Sequence, residues 1–157
     1  MIVETYIHRS RVAAPAYAVF RWHARPDAIE KLTPPWLRVR IVDRTGGIKD
    51  GGRVALLIQR WVFRVRWVAQ HCDYVEGRQF RDIQVQGPFA KWEHLHTVTP
   101  DGPDACWLED RVAYALPFGR LGRLFGWLVR SRIRQLFEYR HAVIANEVTH
   151  TEPDGVA

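Results

Sequence analysis

From residue 36 to residue 116 apolar and polar positions alternate along the chain, and turn-forming clusters interrupt the alternation at Gly46-Gly47, Asp50-Gly51-Gly52, Glu76-Gly77, Gly87-Pro88 and Pro100-Asp101-Gly102-Pro103. Those turns delimit six strands, at 36–44, 53–61, 63–75, 78–86, 90–99 and 105–115, at a spacing that joins antiparallel neighbours. Upstream, residues 3–12 are β-rich and free of breakers as far as Ala13-Ala14-Pro15, which makes them a first strand. Pro15 suits the first turn of a helix continuing from Ala16 to Trp22, and a second short helix, Asp27 to Leu32, stops at Thr33-Pro34-Pro35. Downstream, Pro117-Phe118-Gly119 closes the last strand. Leu121, Leu124, Phe125, Leu128, Val129, Leu136, Phe137, Val143 and Ile144 then recur at helical spacing over residues 120–147.

This order predicts an α+β domain. Seven antiparallel strands cannot leave an apolar face in water, and a terminal helix of that span is about 42 Å long, so the sheet is expected to curve around it. One domain over residues 1–148 is expected, with a frayed polar tail at 149–157.

Hydrophobic residues make up 47% of the 157 positions and charged residues 25%, which excludes a disordered chain, a collagen-like repeat and a disulfide scaffold. Cys72 and Cys106 lie far apart without a CxxC spacing, and no signal-peptide pattern is read at the start, so reduced thiols and a cytoplasmic location are expected. No apolar run reaches the roughly 20 residues of a membrane span. The net charge of +6 raises the question of nucleic acid, but the arginines are dispersed except between Arg120 and Arg140, which reads as a solvated face and no nucleic-acid partner. Arg120, Arg123, Arg130, Arg132, Arg134 and Arg140 leave peripheral contact with an anionic membrane open.

The order of elements resembles the helix-grip fold of the START and birch-pollen-allergen superfamily (SRPBCC), particularly its polyketide cyclase/dehydrase-like branch. Residues 12–20, Val-Ala-Ala-Pro-Ala-Tyr-Ala-Val-Phe, resemble the family's passage from strand one into the first helix. Residues 80–96, Phe-Arg-Asp-Ile-Gln-Val-Gln-Gly-Pro-Phe-Ala-Lys-Trp-Glu-His-Leu-His, are similar to a bacterial subgroup found alone or fused to an epimerase-like nucleotide-binding domain. Leu32-Thr33-Pro34-Pro35-Trp36, the run Asp110 to Tyr114 and Phe137-Glu138-Tyr139-Arg140 extend the likeness over essentially the whole chain. The resemblance implies an internal pocket for lipids, hormones, polyketides or other apolar molecules, and leaves an epimerase-like protein partner open. It implies no particular reaction.

Side chains alternate across a strand, so the less charged set is expected to face the helix. That rule turns Phe63, Val65, Trp67, Ala69 and His71 inward on the fourth strand, and Trp92, His94, His96 and Val98 on the sixth. On the seventh it turns in Cys106, Leu108, Asp110, Val112 and Tyr114, and on the first Tyr6, His8, Ser10 and Val12. The fifth strand is ambiguous: hydrophobicity favours Ile83 and Val85, whereas the Gly87-Pro88 hairpin and the family pattern favour Asp82 and Gln84 inward.

The candidate ligand-binding residues are therefore Trp67, His71, Asp82, Gln84, Trp92, His94, His96, Asp110, Tyr114 and Phe137, a few polar groups converging in an apolar concavity. The expected function is binding or transport of a small hydrophobic molecule. A cyclase- or dehydratase-type enzyme with His94 and Asp82 as an acid–base pair is the alternative, and interstrand hydrogen bonding alone also accounts for buried Asp, His and Gln. His94 and His96 with His71 or Asp82 offer three metal donors, but His-x-His pairs on strands are common by chance, so no metal and no cofactor is assigned. Ser10, Ser131 and the cysteines lack the setting of a nucleophile, and Gly46-Gly47 and Gly51-Gly52 lack that of a phosphate loop.

Overall fold

The computed structural model describes residues 1–60, 62–117 and 124–150. Their order is β1 (Glu4–Val12), α1 (Ala16–His23), α2 (Ala28–Lys31), β2 (Arg38–Thr45), β3 (Arg53–Arg60), β4 (Phe63–Val75), β5 (Gln79–Gln86), β6 (Lys91–Pro100), β7 (Cys106–Ala115) and α3 (Gly126–His150). The strands form one antiparallel sheet in the order β1-β7-β6-β5-β4-β3-β2, the expected helix-grip arrangement. Irregularities between Ile41 and Asp43 on β2, between Cys72 and Val75 on β4, and at Val85 on β5 opposite Val68 and Ala69, insert residues that bend their strands and add curvature.

Local chemistry explains the small helices. Pro15, with φ −56° and ψ 141°, stands just before α1, and its carbonyl accepts the N–H groups of Ala18 and Val19. The α1 face that follows buries Val19, Phe20, Trp22 and His23.

The core is layered along the helix axis. One apolar layer joins Phe20, Phe80, Val98, Leu108 and Ile144, and another joins Tyr6, Trp92, Val112, Tyr114, Ile133 and Phe137. Each large apolar side chain buried there contributes about 1.5–3 kcal/mol. Between them the buried positions of three elements turn polar: His94 and His96 on β6, Asp110 on β7 and His141 on α3. A polar layer thus interrupts the hydrophobic core between the two apolar layers.

Three expectations change. Phe63 keeps the face of Val65 and Trp67 but is 69% exposed at the tip of the β3–β4 hairpin, where no layer of the core reaches it, so it is not buried. Leu124 and Phe125 form an exposed turn, α3 begins at Gly126 and it continues through Thr149 and His150, past the predicted end at 147. Position 61, residues 120–123 of the predicted helix and residues 151–157 of the predicted tail lie outside the described residues. No helix among the described residues is long and apolar enough to cross a membrane.

Candidate functional site

The register of the sheet assembles the polar layer. Asp82 pairs with His94 across β5 and β6, His96 pairs with Asp110 across β6 and β7, and His71 pairs with Asp82 across β4 and β5. Side chains directly opposite on neighbouring strands share a face, so four strands place these groups on the concave side. The fifth strand therefore faces Phe80, Asp82 and Gln84 inward; Phe80 stacks on His96 with ring centroids 4.1 Å apart.

His94 is 2% exposed and lies between two carboxylates, with Nδ1 3.0 Å from Asp82 Oδ2 and Nε2 donating to Asp110 Oδ1 at 3.0 Å. His96 Nε2 donates to Asp82 Oδ2 at 3.3 Å, and its Nδ1 stands 2.8 Å from Asp110 Oδ1 but off the line of a hydrogen bond. From the helix, His141 Nε2 donates to Asp110 Oδ2 at 2.7 Å, and its Nδ1 lies 2.6 Å from the Ser10 hydroxyl. Burial alone depresses an imidazole pKa, yet Asp82 and Asp110 outweigh it and raise that of His94 to about 9, making it a cation at neutral pH. Burial likewise opposes ionisation of Asp82 and Asp110, and the neighbouring histidines overcome it and hold both carboxyls well below the ordinary range.

The other predicted residues take two kinds of position. Gln84 clamps its own hairpin: its amide donates to Phe89 O at 2.8 Å and its Oε1 accepts Phe89 N–H at 3.3 Å. A side chain at Gly87 would strike that amide, with Cβ against Oε1, which explains the glycine in the turn. Trp67 and Trp92 meet edge to face at 5.1 Å, Phe89 joins them at 4.9 Å from Trp92, and the Tyr114 hydroxyl donates to Glu4 at 3.0 Å. Phe137 packs edge-on against His94 at 4.8 Å. A side chain lining open space keeps accessible surface, and Trp92, His94, Asp110, Tyr114 and Phe137 keep almost none. Asp82, with 16% of its side chain accessible, Gln84 and Trp67 stay partly open.

The β2–β4 half of the concave face differs. Val39 pairs with Ile58 and Ile41 with Leu56, and these in turn pair with Val65 and Trp67, so six apolar side chains share the concave face with the open edge of Asp82. All six are only half-buried. The helix instead approaches β1 and α1, and its Tyr139 and Arg140 donate to the carbonyls of Lys31 and Leu32 at the end of α2. A separate depression of about 400 Å³ lies on the opposite face, lined by Arg53, Arg66, Asp43 and Gln86 among others, and is too open and polar for an apolar guest.

Sequence reasoning placed Ser10 inside without a partner and passed over His141 and His23. His141 is legible in retrospect, four residues beyond Phe137 on the buried stripe of α3, where a search for apolar recurrence skips a histidine.

An antiparallel seven-stranded grip around a terminal helix, with a half-open apolar concavity, defines a ligand-binding helix-grip domain. The chain belongs to the polyketide cyclase/dehydrase and lipid transport family, whose profile matches residues 12–139. Norcoclaurine synthase from Thalictrum flavum superposes with a TM-score of 0.76 at 13% identity, covering 98% of this chain and 90% of that one. The Zhui aromatase/cyclase from Streptomyces sp. R1128 gives 0.75 at 14% identity, covering 94% of each. A nucleoside-diphosphate sugar epimerase from Corynebacterium glutamicum gives 0.70 at 19% identity over 92% of this chain, which matches only 29% of that protein. No curated protein matches at a significant level.

Proposed function

We propose that the protein binds and carries a small, largely apolar molecule in the cleft between the concave face of β2–β5 and α3. The observation that carries this reading is the asymmetry of the grip: the β1, β6 and β7 half is filled by side chains, while Val39, Ile41, Leu56, Ile58, Val65 and Trp67 keep accessible apolar surface facing the helix side. An apolar wall of this kind with one polar edge at Asp82 suits a guest that is mostly hydrocarbon or aromatic and carries one oxygen function. Membership of a family that includes lipid transport supports it.

A cyclase or dehydratase using His94 and Asp82 requires His94 to exchange a proton with the guest. Both its ring nitrogens face carboxylates and Phe137 covers its ring, so the geometry favours the carrier. The exposed apolar residues Val62, Phe63, Leu124, Phe125 and Trp127 lie at the end of the sheet where α3 starts, with Arg130 nearby, and suit transient contact with an anionic membrane during loading. An epimerase-like partner is a further proposal, prompted by the likeness of this chain to 29% of the Corynebacterium epimerase.

Native mass spectrometry of the freshly purified chain tests the proposal. A retained adduct of a few hundred daltons, lost in the Trp67→Ala variant, is expected. A bare chain that also takes up nothing from lipid and phenolic extracts would contradict it.

A further inference from the structure

We infer that Asp82, His94 and His96 bind one divalent transition-metal ion. Asp82 Oδ2 lies 3.0 Å from His94 Nδ1 and 3.3 Å from His96 Nε2, and all three donor atoms fall within 4.8 Å of one another. Ligand atoms about 2.0–2.2 Å from a shared ion stand about 3.0–3.5 Å apart at adjacent vertices of a tetrahedron or octahedron, and the two separations from Asp82 match.

The surroundings are those of a metal centre. Ligating histidines turn their second ring nitrogen to a carboxylate that fixes tautomer and ring orientation. Here one oxygen, Asp110 Oδ1, receives both: it accepts from His94 Nε2 at 3.0 Å and sits 2.8 Å from His96 Nδ1. Asp110 is anchored in turn through its other oxygen by His141, which Ser10 holds from the opposite side.

Two further observations point the same way. His96 is 92% buried, and its Nδ1 has no hydrogen-bond partner despite its nearness to Asp110. Buried polar atoms without partners are rare, and a ring held through Nε2 by an ion, with Nδ1 turned onto Asp110, removes the exception. His71, across from Asp82 on β4, also has a buried Nδ1 without a partner.

A donor set of two imidazoles and one carboxylate suits zinc, ferrous iron, cobalt or manganese, and is poor for magnesium or calcium, which favour oxygen. Three protein donors leave the rest of the coordination sphere to water or to an oxygen of a guest, and Asp82 stands at the accessible edge through which either arrives. The inference is independent of the carrier reading, since these donors hold an ion whatever fills the cleft.

The test is titration of the tag-free, chelator-treated full chain with Co²⁺, followed by its visible d–d bands, and with Zn²⁺, followed by calorimetry. One ion per chain is expected. Asp82→Asn and His96→Gln should each weaken binding at least about 100-fold, and Asp110→Asn about 10–100-fold. Circular dichroism checks that each variant is folded. Should a variant not fold, imidazole ¹H–¹⁵N spectra of the unaltered chain decide: Zn²⁺ should move the His94 and His96 signals and leave that of His150 in place. Absence of d–d bands at one equivalent of Co²⁺, affinity unchanged in folded Asp82→Asn and His96→Gln, or shifts confined to His150 would each overturn the inference and leave the cluster a purely structural ion-pair network.

Discussion

Asp110→Asn is the substitution to which the polar layer should be most sensitive. The side chain is 2% exposed, and its two oxygens serve His94 at 3.0 Å, His96 at 2.8 Å and His141 at 2.7 Å. Asparagine keeps the volume but removes the charge, and its NH₂ group is a donor where a histidine N–H needs an acceptor. His94 is then a buried cation with one carboxylate instead of two. Removing one partner of a buried, hydrogen-bonded charge pair costs about 3–5 kcal/mol, because the other is left uncompensated. At about 2–4 °C per kcal/mol for a chain of this size, Tm should fall by about 6–20 °C. Urea denaturation of the chelator-treated protein, with circular dichroism as the probe, measures the loss at constant m-value. A loss under about 1 kcal/mol would refute the account of the layer. So would additive effects of Asp110→Asn and His141→Ala, since groups sharing one contact couple by about 0.5–3 kcal/mol.

Three other predictions test separate parts of the molecule. His23, buried on α1 with Nδ1 on Val19 O at 2.8 Å, has its pKa lowered to about 4, first by burial and then by His96 at its side. The unfolded chain takes up that proton near pH 6.5 and the folded chain does not, so stability should fall by up to about 3 kcal/mol as pH drops from 6.5 to 4. His23→Phe should flatten that slope in urea titrations, and an unchanged slope would count against a neutral buried His23. Burial pushes the Cys106 thiol up to about 11 and leaves it inaccessible, whereas Cys72 is half-buried. Iodoacetamide at pH 8 should therefore alkylate Cys72 in the folded protein and spare Cys106, as peptide mapping would show; equal labelling would contradict the described core. Gly87→Val should dislodge the Gln84 amide from Phe89 and cost about 1–2 kcal/mol in thermal unfolding, against no change if the clamp is unimportant.

Strand number, antiparallel order and most of the facing were legible because alternation on β6 and β7 is reinforced by composition: Trp92, Val98, Leu108 and Val112 leave no doubt which set is buried. On β5 the apolar pair Ile83 and Val85 points outward, and the inward positions of Asp82 and Gln84 follow only from partners on other strands, which a single strand's pattern does not contain. Phe63 misled for a related reason: parity says which side a residue takes, not whether anything stands there to cover it. The carboxylate–histidine contacts were foreseen as a neighbourhood, but His141 enters it from 31 residues beyond Asp110, a tertiary contact that helical periodicity of apolar residues passes over. Least legible was the division of the concave face into a filled half and an open one. That division depends on where α3 lies, and the helix lies against β1 and α1.

The central claim concerns that open half, and methyl-resolved NMR addresses it most directly. With isoleucine, leucine and valine methyls labelled, titration with 1-anilinonaphthalene-8-sulfonate or the extracted native guest should shift Val39, Ile41, Leu56, Ile58 and Val65 together in a saturable, one-site manner. Leu108, Val112 and Ile144, inside the filled half, should stay in place. Shifts absent at saturating probe, or centred on Val68 and its neighbours on the opposite face, would show that the cleft is not where this protein holds a ligand.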